Sequence, residues 1–70
     1  PGENAAGDPA AAERTFLRRM REHHGGAIRL GELAIARATH RELVAQAREM
    51  IASQRAQQDR FGRWLAAWYG

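Results

Sequence analysis

The sequence predicts an all-α fold, a long antiparallel helical hairpin, on three observations. The composition is 44% hydrophobic and rich in alanine, with two prolines and few strand formers, which favours helix over sheet. Apolar residues recur in steps of three and four along two long stretches, the period of a helix rather than the alternation of a strand. A short break at Thr39 separates the stretches, and two long helices on a short link fold back on each other.

The elements follow in order. Positions 1–8 are small and polar and read as a flexible tail. Asp8 caps the first helix, Pro9 is preorganised for its first position, and Glu13 is expected near the positive end of the dipole. Helix one is placed over 9–38, with the stripe Phe16, Met20, Ala27, Leu30 and Ala34 widened by Leu17, Ile28 and Ile35. Gly25, Gly26 and Gly31 each cost about 1 kcal/mol relative to alanine inside a helix, so the helix bends or another helix comes close, and a bend is the expectation. Thr39-His40-Arg41-Glu42 has the spacing of a capping box, with Thr39 as cap and Glu42 reaching back. Helix two is placed over 40–69, and its inner line runs Leu43, Ala47, Met50, Gln54, Gln57, Phe61, Trp64, Trp68, flanked by Val44, Ile51 and Leu65. Arg18–Glu22, Arg55–Asp59 and Asp59–Arg63 have the spacing of surface ion pairs.

Composition removes several function classes. Seventy residues make one domain, and a chain this short buries only roughly 60% of its unfolded surface, which excludes a multi-domain enzyme. There is no cysteine, hence no disulfide, no thiolate cluster and no thiol nucleophile. The net charge is +3 and all eleven basic residues are arginine, so a pI near 11.0 reflects missing lysine as much as excess charge. The arginines are interleaved with acids on both helices, and no recognition helix follows a short turn, which argues against nucleic acid. No apolar run is long enough to span a membrane. A chain opening at Pro1 rather than methionine is expected to be a processed form. The single serine, Ser53, has no Asp placed to support a Ser–His pair. Neither Glu22 nor Glu49 has a histidine three residues on, the pair that a di-iron bundle requires. A non-enzymatic protein is the expectation.

The chemistry gathers at Met20-Arg21-Glu22-His23-His24. The two imidazoles diverge by about 100° around the helix, but Met20 lies one turn back between them, so thioether and imidazoles can converge. Folding the hairpin about Thr39 brings them opposite Gln54 to Gln58. Polar groups in an apolar seam must bond one another, bind water or ligate something. Thioether with imidazole and no thiolate suits copper, Cu(I) above all. The other reading is a hydrogen-bonded layer that only sets helix register. An imidazole ligates when neutral, so copper affinity is expected to fall below about pH 6.5. His40 lies roughly 24 Å along the helix from His24 and cannot join that cluster within one chain. It reads as an exposed first-turn residue. Met50 reads as core filler, and Trp64, Leu65, Trp68 and Tyr69 as a core plug or oligomer contact, with a membrane-interface anchor as the alternative.

Phe16-x-x-x-Met20-x-x-His23-His24-x-x-Ala27, preceded by Glu13 and followed by Ala47-x-x-x-Ile51-x-x-Gln54 and Trp64-Leu65, resembles the family called domain of unknown function 305. The resemblance covers about residues 13 to 69. It implies a ferritin-like helical bundle, in bacterial proteins that are often secreted or envelope-associated, with several members linked to copper. Met20, His23 and His24 match as metal ligands, with Gln54 as a supporting residue. Leu30 and Phe61 stand where many members have methionine, and Gln57 where glutamate is common, so three soft or acidic donors are missing. Members often carry the histidine motif twice, and this chain has it once. A homodimer restores the second copy, and it also covers the half of each apolar stripe that a lone hairpin leaves bare, giving a four-helix bundle. The expected function is extracytoplasmic copper sequestration or transfer through Met20, His23 and His24. The alternative is a metal-free dimerisation module whose His/Gln layer sets the pairing register.

Overall fold

The structure, a computed structural model, describes residues 7–70. It contains two α-helices, α1 (Pro9–Arg37) and α2 (Arg41–Tyr69), packed along each other as an antiparallel hairpin. The tail expected over 1–8 lies outside the described residues as far as position 6. The helix limits fall within one residue of those read from the sequence.

Asp8 caps α1 as its chemistry dictates. Its backbone is extended, its carboxylate accepts from the Ala10 N–H at 3.1 Å, and Pro9 occupies the first turn. Glu13, expected at the dipole, sits beyond the first turn. Its carboxylate instead accepts from the Tyr69 hydroxyl and ties the free ends of the helices together. Arg37 lies in the last turn, where a cation opposes the dipole.

The capping box does not form. His40, not Thr39, is the cap of α2 and makes no side-chain capping bond, while Thr39 Oγ1 lies 3.5 Å from His40 Nδ1. Starting the helix one residue later leaves Glu42 one position short of the reciprocal bond. It still places a carboxylate in the first turn, against the positive end of the dipole.

The seam between the helices is rotated from the stripe read in the sequence. Leu17, Ile28, Ala47 and Ile51 are its buried hydrophobic residues, with His24 and Gly31 buried among them. Phe16 and Leu30, taken as inner positions, are 56% and 69% exposed. The cause is the width of the stripe. One line of it meets α2, and a hairpin of 53 × 24 × 13 Å is a single layer with nothing to cover the other.

Gly31 explains the close approach. A Cβ there would lie 2.8 Å from Ile51 Cγ1 and 3.1 Å from Met50 Cε, so the glycine lets α2 come in, the close approach that stood as the alternative to a bend, and α1 stays helical through all three glycines. Gly25 and Gly62 serve the polar edge of the seam. Added Cβ atoms there would stand 3.2 Å from the Gln58 amide nitrogen and from the Arg21 guanidinium. Those two side chains lock the helices reciprocally: Arg21 Nε donates to the Gln58 carbonyl at 3.2 Å, and Gln58 Nε2 donates to the Arg21 carbonyl at 2.8 Å. On the same edge Arg55 reaches across to Glu32 at 2.9 Å, instead of along its own helix to Asp59, which is held by Arg63. Both pairs are well exposed and contribute at most about 1 kcal/mol each.

Two consequences are measurable. Gly31→Ala gains helix propensity but drives a methyl into Ile51, and a net loss of about 1–3 kcal/mol is expected in urea unfolding. Gly26→Ala meets only Arg29 Nη2 at 3.9 Å and is expected to stabilise by up to about 1 kcal/mol. Tyr69 provides the second. Its hydrogen bond to the Glu13 carboxylate, then partial desolvation, raises its pKa above the usual 10.0. The contact therefore helps the fold below about pH 10 and is lost as the pH rises through the raised value. An ultraviolet titration of the phenol is expected to fall back toward the ordinary value in Glu13→Gln.

Candidate metal centre

The candidate site lies at mid-length of the hairpin. His24 is 4% exposed and enters the seam; Met20, one turn earlier, is half-buried; His23 is exposed. Helix geometry causes the split, because adjacent residues point about 100° apart and only one can face α2. The expected opposition of the histidines to Gln54–Gln58 holds for His24, whose Nε2–H donates to Gln57 Oε1. Gln57, rather than Gln54, is thus the residue that supports the imidazole.

This bond fixes the chemistry of the ring. An amide oxygen only accepts, so the proton of the neutral imidazole resides on Nε2 and the lone pair on Nδ1. His24 Nδ1 is buried and has no hydrogen-bond partner, and neither has Gln54 Oε1. Two buried lone-pair atoms, one on each helix and about one turn apart along the seam, lack a donor, and each unsatisfied group costs roughly 1–3 kcal/mol. A metal-ligating histidine has this form, with one nitrogen bare and the other N–H held by a carbonyl or carboxylate. The residues therefore fit a soft metal: His24 Nδ1 is a ready donor, and the thioether of Met20 and the imidazole of His23 lie within one turn of it. Among the described residues no three His, Cys, Asp or Glu side chains are grouped to hold a metal ion. A single chain supplies imidazole, thioether and amide only.

The other residues singled out fall elsewhere. His40 is exposed at the link, far from the cluster. Met50 packs against Gly31 in the seam. The aromatic end of α2 is an open row rather than a buried plug. Trp64 and Trp68 stack at 5.3 Å, Phe61 lies 5.8 Å from Trp64 and 6.1 Å from Phe16, and Trp68 is 56% exposed. Phe61 also meets the His24 ring edge-on at 5.7 Å, so the row abuts the candidate site. Arg14 lies over the Tyr69 ring at 5.2 Å. The Arg21–Gln58 lock beside the site was not read from the sequence. Its only trace there is the pair of glycines, Gly25 and Gly62, that make room for it.

No helix of the described residues is long and apolar enough to cross a membrane. No curated protein and no solved structure matches the chain. The family model described as "Domain of unknown function (DUF305)" matches residues 13–70. With the match spanning both helices and the Met-x-x-His-His element, the chain belongs to the DUF305 family.

Proposed function

We propose that this protein binds copper outside the cytoplasm, sequestering or passing it without catalysing a reaction, through Met20, His23 and His24. The observation that supports this reading is the bare, buried Nδ1 of His24, on a ring whose other nitrogen is held by Gln57. A buried imidazole that only set register would be expected to use both nitrogens. The thioether of Met20 and the lack of thiolates and grouped carboxylates favour Cu(I) over zinc, calcium or magnesium. The extracytoplasmic placement follows from the family resemblance, as does pairing with a second copy.

The second reading is a metal-free dimerisation module. It draws on the polar lock itself, since His24–Gln57 and Arg21–Gln58 fix the helix register without any metal.

A Cu(I) competition titration against a chromophoric chelator separates the two. Tight binding is expected for the native chain, with loss in His23→Ala/His24→Ala. Gln57→Leu, which keeps both histidines but releases the ring, is expected to weaken binding about 10–100-fold. If the native chain competes no better than the double variant, the copper reading fails and the register reading stands.

A further inference from the structure

The seven-residue spacing of the sequence sorts one flank of the seam and the uncovered face beside it into lines. On α1 these are Phe16–His23–Leu30 and Met20–Ala27–Ala34. On α2 they are Leu43–Met50–Gln57–Trp64 and Ala47–Gln54–Phe61–Trp68. Of the 19 charged residues of the chain, eleven basic and eight acidic, only Glu13 and Arg37 fall on these lines, near the two ends of α1, and none falls on the α2 lines. Phe16, Leu30, Leu43 and Trp68 are all more than half exposed there. The opposite side bears Glu32, Arg48 and Arg55. One face of a 13 Å layer is therefore mostly apolar, with a polar layer at its middle and the charges of Glu13 and Arg37 toward its ends.

That middle is informative. His23 is the central residue of the 29-residue α1. Two antiparallel copies of one helix overlap along their whole length only when their central residues face each other. The two ends of the face are also complementary. One presents the rings of Phe16, Trp64 and Trp68, and the other a groove of about 340 Å³ floored by Ala27, Gly31, Ala34 and Ala47. Exchanging the ends lays bulk over small residues, whereas a parallel pairing stacks rings on rings. A face of 53 × 24 Å offers room for the roughly 800 Å² per partner that a stable dimer buries.

We infer that two copies of this chain join through this face about a two-fold axis at His23, and that one copper ion is held between them. The metal half of the inference rests on the copper reading above. Met20, His23 and His24 of each copy lie within about 4.5 Å along the helix of that axis. The second copy thus supplies the imidazole and thioether donors that one chain lacks, because His23 points out of its own hairpin and toward the partner.

The native chain has no cysteine, so single substitutions report the pairing cleanly. His23→Cys is expected to form a disulfide-linked dimer on mild oxidation. A mixture of Phe16→Cys and Leu30→Cys is expected to form mixed dimers in preference to either homodimer. Native mass spectrometry of the unsubstituted chain with Cu(I) is expected to show one copper per two chains. Failure of His23→Cys to cross-link, in a chain shown to be helical by circular dichroism, overturns the pairing, and binding of copper by single chains overturns the sharing. Copper binding without cross-linking would sink the pairing and the shared site, and leave the copper reading standing. Cross-linking without any copper binding would sink the copper reading and the shared site with it.

Discussion

The hydrogen bond from His24 to Gln57 is the constraint around which the hairpin is arranged. It sits at mid-length, couples the two helices inside the seam, and sets which residues of α1 stand level with which of α2. The same antiparallel register brings Arg21 to Gln58, Gly31 to Ile51 and Glu13 to Tyr69. Shifting one helix by a turn would strand the imidazole N–H in an apolar seam and drive Ile51 against a side chain instead of a glycine. The bond also decides the tautomer, which turns a structural contact into a chemical one: the nitrogen left over is bare, buried and nucleophilic.

The hairpin is thin, and that governs much of its character. Leu17, Ile28 and Ile51, each contributing about 1.5–3 kcal/mol when fully covered, make with the small Ala47 a slight core for 64 described residues. No large side chain is fully buried. The apolar residues that a larger domain would place in a second contact line up on one uncovered face instead. Whatever covers that face also encloses His23 and Met20.

Much of this was legible in the sequence, and the reasons are specific. Asp8 and Pro9 marked the start of α1 because cap and proline chemistry are local. The hairpin followed from the short link, and the meeting of His24 with the glutamines followed from counting residues away from that link. What failed to show was anything that depends on which line of a broad apolar stripe meets the partner helix. Phe16 and Leu30 have the same period as Leu17 and Ile28, and only packing separates them. Thr39 and Glu42 have the spacing of a capping box, yet the helix begins one residue later and the spacing is void. Glycine was read as a bend because sequence shows its cost, whereas the benefit at Gly31 is a contact with Ile51 twenty residues away. Gln57 looked like a lost acidic ligand, and its role as the acceptor that orients His24 needs the folded chain to be seen.

The state of the His24 ring tests the central claim most directly, and ¹⁵N NMR of the imidazole nitrogens measures it in the free chain and after addition of Cu(I). The account predicts a proton on Nε2 and a bare Nδ1 in the free chain, with Cu(I) shifting the Nδ1 resonance while Nε2 keeps its proton. A proton on Nδ1 in the free chain, or an Nδ1 resonance indifferent to saturating Cu(I), would contradict it.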